Sequence, residues 1–129
     1  MIYGIGTDLV AIDRITKMCK TYGANAVAAK ILSRVEALEW PSASQPVIFL
    51  AKRFAAKEAF AKAVHTGLRS PVTLRNIGIG HDKLGRPEFI CEPNLDSWLK
   101  QKKIGRIHLS LSDEGGHVVA FAVSEHHYE

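Results

Sequence analysis

Acidic and basic side chains recur at helical spacing in the segment Arg53–Ala63, which reads Arg-Phe-Ala-Ala-Lys-Glu-Ala-Phe-Ala-Lys-Ala. Because the segment is rich in alanine and lacks glycine and proline, we predict a helix. Glu58 and Lys62 then project from the same side of that helix, and Arg53 and Lys57 form a second pair. One acid framed by three cations could hold a metal ion and a phosphorylated substrate. The spacing also fits a solvated face with one ion pair worth about 0.2–0.5 kcal/mol, so both interpretations stay open.

A second acid comes from the N-terminal segment, whose alternating residues predict a strand. One face of that strand carries Ile2, Gly4, Gly6 and Asp8. Two glycines in a strand indicate that something approaches the backbone closely there. Asp8 could cap the helix that follows, and the segment taken alone favours this role. It could instead bind a hard cation such as Mg2+, which takes one or two protein carboxylates together with water and phosphate oxygens.

Together, these segments resemble the holo-acyl-carrier-protein synthases, the small bacterial class of 4'-phosphopantetheinyl transferases. The specific matches are Gly4–Val10 with Ile12–Ile15, and Arg53–Ala63. Weaker matches are the turn Gly85-Arg86-Pro87 and the closing strand pair Ile107–Ser112 and Val118–Val123. The resemblance spans nearly the whole chain in the expected order.

This resemblance implies transfer of 4'-phosphopantetheine from coenzyme A to a serine of apo acyl carrier protein, in fatty acid biosynthesis. The other product is adenosine 3',5'-bisphosphate. Asp8 and Glu58 would hold Mg2+ against the pyrophosphate, and Lys62 would face the departing phosphate. Either Glu58 or a metal-bound water could accept the serine proton, and the sequence does not decide between them.

Further residues are expected to contact the two substrates. Those predicted around the coenzyme A phosphates and adenine are Arg53, Lys57, Gly85, Arg86, Pro87 and Ser112. The helix predicted at residues 11–22 would dock the acidic carrier protein through Arg14, Lys17 and Met18. For these cations taken alone, plain solvation is the simpler interpretation, and Gly85-Arg86-Pro87 is also simply a good turn sequence.

One position departs from the family pattern. Members usually carry a histidine after the Ser-Leu-Ser strand, where it helps to bind the cofactor, and this chain has Asp113. An acid there would repel a phosphate if its side chain pointed the same way as that histidine. His108 or His117 could replace the contact. We therefore predict that Asp113→His tightens coenzyme A binding.

Composition agrees with one globular domain over residues 1–129, with 47% hydrophobic and 23% charged residues. No signal peptide or membrane span is evident, and Cys19 and Cys91 form no disulfide or metal motif, so we expect a cytoplasmic protein. The net charge of +4 favours anionic partners. Because no nucleic-acid module is recognisable, these partners are expected to be coenzyme A and an acidic protein, without nucleic acid or membrane.

The predicted fold is α+β, with a mainly antiparallel sheet packed with one long and several shorter helices. Helices are expected at 11–22, 25–32, 34–40, 46–65 and 93–103, and strands at 1–8, 74–80, 88–91, 106–112 and 117–125. The tail 125–129 is expected to fray. A homotrimer with the cofactor between neighbouring subunits is implied by the resemblance only. Another small Mg-dependent phosphoryl-transfer enzyme, or a basic non-catalytic binding module, remains an alternative.

Overall fold

An antiparallel sheet of three strands and one long helix form the centre of the protein. The structure, a computed structural model, describes residues 1–127. Its strands are β1 (Ile2–Ala11), β2 (Ile77–His81), β3 (Pro87–Cys91), β4 (Ile104–Glu114) and β5 (His117–His126). Its helices are α1 (Ile12–Tyr22), α2 (Ala24–Ile31), α3 (Glu36–Glu39), α4 (Pro46–Ala63) and α5 (Pro93–Gln101), with one 3-10 turn at Trp40–Ser42. The predicted α+β class is confirmed.

The sheet has the strand order β1-β5-β4, and β2 pairs with β3 in a separate hairpin. All pairings are antiparallel. The inner face of the sheet packs against α4 through small apolar side chains that are fully buried: Val10, Val118, Ala120 and Ala122. The opposite face, here called the outer face, is covered by no other described element. Among residues 1–127 no helix is long and apolar enough to cross a membrane.

The two glycines of β1 allow α4 to lie directly against the strand. A Cβ atom at Gly4 would stand 2.2 Å from the Ala63 carbonyl oxygen, and one at Gly6 would stand 2.1 Å from that of Ala59. Real Cβ atoms essentially never approach another atom closer than 3.0 Å. The predicted close approach at these glycines is therefore present, and the approaching group is the backbone of α4.

The interpretation of Asp8 as a helix cap is wrong, because β1 continues to Ala11 and Asp8 lies within the strand. Ala11 occupies the N-cap position of α1 and offers no side-chain acceptor. Instead, the backbone N–H of Ile12 donates to the carbonyl of Gly116 in the β4–β5 turn, at 2.9 Å. Asp8 is thereby left available for another role.

Several element boundaries differ from the prediction. The helix expected from residue 34 begins at Glu36, although the reciprocal capping box between Ser33 and Glu36 is present. Strand β2 begins at Ile77, because residues 73–77 form a turn in which the Ile77 N–H donates to Thr73 O at 3.1 Å.

The predicted fraying of the tail is wrong at its start, since β5 extends to His126. The backbone N–H of His126 donates to Met1 O at 2.8 Å. The rest of that prediction, at residues 128–129, lies outside the described residues.

Candidate active site

Asp8 and Lys62 meet where α4 crosses β1. The ammonium nitrogen of Lys62 donates to the Thr7 carbonyl at 2.8 Å and to Asp8 Oδ1 at 3.4 Å. The Asp8 side chain is 17% exposed and that of Lys62 is 53% exposed, so the pair opens to solvent on one side. Strand and helix are far apart in sequence, and the bare strip of Gly4 and Gly6 brings them into contact.

Glu58 lies one helical turn before Lys62 and takes part in the same electrostatic site. Burial raises the pKa of Glu58, and the negative charge of Asp8 raises it further. The cations Lys62 and Arg14 act in the opposite direction on that pKa. Two carboxylates that repel each other in a half-buried position favour a bound cation between them.

The chemistry of these donors fits Mg2+. Asp8 and Glu58 supply hard oxygen ligands, and Mg2+ is commonly held by one or two carboxylates while water and substrate phosphate complete its octahedral shell. No cluster of three or more histidine, cysteine or acidic side chains that could hold a metal occurs within the described part of the chain. A closed, all-protein site of the zinc type is therefore not formed by residues 1–127.

The burial of Lys57 argues against its predicted contact with the cofactor. Lys57 has no exposed surface, and its Nζ donates to Glu36 Oε1 and Ile31 O at 2.5 Å and to Leu74 O at 2.9 Å. All three ammonium protons thus have acceptors inside the protein. Burial lowers the pKa of Lys57 to about 8, while the charge of Glu36 opposes that shift.

Arg53 belongs to the same buried group. Its side chain is 6% exposed, with Nε 2.9 Å from Glu36 Oε2 and Nη2 3.1 Å from Glu39 Oε2. Its guanidinium carbon lies 4.3 Å from the ring centroid of Phe49. Because internal carboxylates already neutralise Arg53 and Lys57, their predicted role around the coenzyme A phosphates is not supported.

Two other predicted nucleotide-binding residues, Arg86 and Pro87, lie along a cleft between β4 and the β2–β3 hairpin. This cleft, of about 630 Å3, is lined by Arg86 and Pro87 together with His108 and Ser110. Arg86 is held in the turn by Asp82, whose Oδ2 lies 2.9 Å from Arg86 Nε.

Gly85 sits at the tip of that turn with φ of 84°, a conformation that glycine adopts without strain. Ser112 is exposed farther along β4, on the outer face.

One protomer does not bring the two halves of the predicted site together. Asp8 is on the inner face of β1, at one edge of the sheet, whereas Ser112 is on the outer face of β4, at the other edge. Strand β5 lies between them, which corresponds to a separation of about 10 Å in the plane of the sheet. The residues of the cleft do not include Asp8, Glu58 or Lys62.

Asp113 lies on the face of β4 opposite to Ser112, and the predicted effect of Asp113→His on coenzyme A binding stays a prediction. The register places Asp113 opposite Val118 on the inner face, whereas Ser112 lies on the outer face. Asp113 Oδ1 lies 3.3 Å from Lys52 Nζ on α4. His108 shares the outer face with Ser112, as expected, and its Nε2 lies 2.5 Å from Glu125 Oε2.

The residues predicted to dock a carrier protein line a shallow groove on α1. Arg14 and Lys17 are exposed, Met18 is half-buried, and all three border this groove. Lys17 pairs with Asp13 at 3.2 Å. The guanidinium of Arg14 lies 5.4 Å from the ring centroid of Phe54 on α4, so the basic face of α1 adjoins the Asp8–Glu58 pair.

The sequence assigns Glu36 to a capping box but does not by itself predict that it neutralises the buried Lys57. The apolar stripe that contains Lys57 could have indicated this role. Lys57 shares a helical stripe with Phe60, Ala61 and Val64, which are all buried. A cation on an apolar stripe requires a buried anionic partner. Glu36, the first residue of the short helix α3, is that partner.

Comparison with known proteins identifies the family of the chain. A family model described as the 4'-phosphopantetheinyl transferase superfamily matches residues 4–122. The holo-[acyl-carrier-protein] synthase of Neisseria meningitidis serogroup A is 58% identical over 125 residues, which cover 97% of this chain and 99% of the relative.

Solved structures give the same result. The crystal structure of the Neisseria meningitidis synthase matches with a TM-score of 0.94 at 58% identity, covering 97% of this chain and 99% of the other. A Bacillus anthracis synthase, solved in complex with CoA (3',5'-ADP), matches with a TM-score of 0.79 at 33% identity, covering 98% of each chain. The chain belongs to the holo-acyl-carrier-protein synthase family of 4'-phosphopantetheinyl transferases.

Proposed function

We propose that the chain transfers 4'-phosphopantetheine from coenzyme A to a serine hydroxyl of an apo acyl carrier protein, with Mg2+ as the metal. The second product is adenosine 3',5'-bisphosphate, and the reaction serves fatty acid biosynthesis in the cytoplasm. The observation that carries the proposal is the meeting of Asp8, Glu58 and Lys62 at the crossing of β1 and α4.

The reaction requires a neutral alcohol to attack a phosphorus atom that is surrounded by negative charge. Asp8 and Glu58 would hold Mg2+, which when bound neutralises pyrophosphate oxygens and positions the electrophile. Lys62 lies beside Asp8 and would stabilise or protonate the departing nucleotide phosphate. Glu58, whose pKa is raised, is suited to accept the serine proton at its carboxylate.

Coenzyme A would lie between two protomers of a homotrimer. Its nucleotide end would occupy the cleft beside Gly85, Arg86 and Pro87 of one protomer, with Ser112 on the adjoining outer face. Its pyrophosphate would reach the Asp8–Glu58 pair of the neighbour. The placement of the two half-sites at opposite edges of one sheet supports this arrangement.

The outer face provides a surface for such assembly. Its exposed apolar side chains are Ile5 (58%), Leu9 (66%), Val119 (39%) and Phe121 (45%). A contiguous apolar sheet face of this kind is typical of an interface between subunits. The carrier protein would dock on α1 through Arg14, Lys17 and Met18, which lie next to the Asp8–Glu58 pair.

The test incubates the protein with coenzyme A, Mg2+ and an apo acyl carrier protein, and follows the carrier by mass spectrometry. The proposal expects a mass gain of one phosphopantetheine that is lost on chelation. Glu58→Ala should abolish the gain, whereas Glu114→Ala, an exposed acid at the end of β4, should not. Release of inorganic phosphate without carrier modification would favour another Mg-dependent phosphoryl-transfer enzyme.

A second measurement tests the assembly. The mass in solution, determined by light scattering, should correspond to three chains. Phe121→Asp should reduce that mass and weaken coenzyme A binding, while Leu38→Asp, an equally apolar and 81% exposed position on α3, should change neither. A wild-type protein that is monomeric yet fully active would contradict the shared site.

A further inference from the structure

The buried cluster formed by Glu36, Lys57 and Arg53 has no place in the reaction described above. Glu36 and Lys57 are both fully inaccessible to solvent, and Arg53 is 5% exposed. Isolated charges in such an environment are strongly unfavourable, so a cluster of this kind persists only when its members are paired. Its members occupy the centre of α4 and the start of α3.

Lys57 connects α4 to three other parts of the chain through one ammonium group. Its acceptors are the carbonyl of Ile31 at the end of α2, the carboxylate of Glu36 in α3, and the carbonyl of Leu74 in the loop before β2. Glu36 is itself fixed, because its Oε1 also accepts from the Ser33 N–H at 2.8 Å. The direction of the Lys57 side chain is therefore fixed from several sides.

The direction of Lys57 determines that of Glu58. Successive residues of an α-helix are related by a rotation of about 100°. A rotation of α4 about its axis that moved Lys57 away from its three acceptors would turn Glu58 away from Asp8 by the same angle. The glycines of β1 set the distance between strand and helix, but they leave this rotation to other contacts.

We propose that Lys57 and Glu36 are positioning residues, which hold α4 in the rotation at which Glu58 and Asp8 together form the metal site. Lys57 acts on the reaction through Glu58 and touches neither phosphate nor carrier. The inference rests on the proposed function for its effect on turnover, but its effect on metal binding can be measured without turnover.

The test compares Lys57→Met, Glu36→Gln and the double variant with the wild type. Glutamine keeps the shape of Glu36 and the acceptor of the capping box, and the double variant also removes the buried Lys57 charge that Glu36→Gln alone leaves without its anion. Lys52→Met on the same helix, whose side chain is 37% exposed, is the matched control. Binding of Mn2+ is followed by electron paramagnetic resonance, coenzyme A binding by calorimetry, and turnover by carrier mass.

Positioning predicts that Lys57→Met and Glu36→Gln each weaken Mn2+ binding by tenfold or more. The effects of the two changes on Mn2+ affinity should be non-additive, because both changes remove the contact between Lys57 and Glu36. The double variant should therefore bind Mn2+ at least as tightly as the single variant with the lower affinity. The coenzyme A dissociation constant measured without metal should stay within twofold, and kcat should fall with little change in KM for the carrier. Lys52→Met should leave Mn2+ binding unchanged.

Two results would overturn the inference. If Lys57→Met weakens metal-free coenzyme A binding more than tenfold and Glu36→Gln does not, Lys57 contacts the cofactor. If folded Glu36→Gln binds Mn2+ like the wild type and loses only thermal stability, the cluster is merely structural. A wild type that binds Mn2+ but modifies no carrier refutes the proposed function, and the Mn2+ comparison still decides the role of the cluster.

Discussion

Replacement of Gly6 by alanine should separate α4 from β1 and disable the site. The added Cβ would stand 2.1 Å from the Ala59 carbonyl oxygen, and 2.8 Å from both Ala63 N and Lys62 Cβ. Contacts under 3.0 Å are essentially never observed for real Cβ atoms, so strand and helix must separate by about 3.0 − 2.1 = 0.9 Å. The Ala59 and Ala63 atoms belong to the backbone, and a Cβ such as that of Lys62 is fixed by its backbone, so none of them can move aside by a rotamer change.

Two magnitudes follow from this displacement. Extra volume in a packed core costs typically 1–3 kcal/mol, and the backbone clash places Gly6→Ala at the upper end, about 3 kcal/mol. A misplacement of about 1 Å in a catalytic constellation reduces turnover by about 10²-fold. Asp8 is on the strand and Glu58 on the helix, so the whole displacement falls between the two carboxylates.

Urea unfolding and the carrier mass assay measure both effects. Gly105→Ala in β4 is the control for the unfolding measurement only, because its Cβ would meet nothing closer than 3.3 Å and its φ is not left-handed. That variant should stay within about 1 kcal/mol of the wild type. Wild-type stability and transfer in Gly6→Ala would show that the approach of α4 to β1 does not determine the site.

Two further predictions concern the metal and the carrier. The Mg2+ concentration for half-maximal transfer should rise as pH falls through the raised pKa of Glu58, because only the ionised carboxylate binds the ion. The rise should begin at a higher pH than for an ordinary glutamate, and a Mg2+ titration at a series of pH values measures it; a requirement that does not vary with pH contradicts the assignment. Lys17→Glu should raise KM for the carrier about three- to tenfold and leave KM for coenzyme A unchanged, because a favourable charge becomes repulsive. Lys100→Glu on α5 is the matched control, and equal effects of the two reversals in steady-state kinetics would rule out a specific carrier surface on α1.

The sequence allowed the elements of the fold to be predicted well where local signals are strong. Gly23, with φ of 89°, ends α1 as expected of glycine after a helix, and Pro46 begins α4 at its first turn. The start of β2 was misplaced because Leu74 belongs to a loop whose carbonyl binds Lys57. Lys57 is 17 residues away from Leu74 in the sequence, so the contact leaves no trace in the local pattern.

Spacing identified the charged pairs of α4 but not their surroundings. Glu58 and Lys62 lie on one side as predicted, and Arg53 and Lys57 also share a side. Because α4 is packed on most of its surface, its periodicity does not distinguish an exposed stripe from a buried one. Spacing alone therefore assigns all four charged residues to the ligand site, whereas the structure buries Arg53 and Lys57 and leaves Lys62 exposed.

The position of α4 is controlled from two directions. On the sheet side, Gly4 and Gly6 permit contact between backbones and set the distance from Asp8 to the helix. On the far side, Lys57 and Glu36 join α4 to α2, α3 and the loop before β2, which sets its rotation. Neither the glycine contact nor the Lys57–Glu36 contact alone defines where the Glu58 oxygens lie, because a helix at the right distance from β1 can still be rotated so that Glu58 points away from Asp8. Loss of either contact should therefore weaken metal binding, although only the replacement of a β1 glycine should also expand the core.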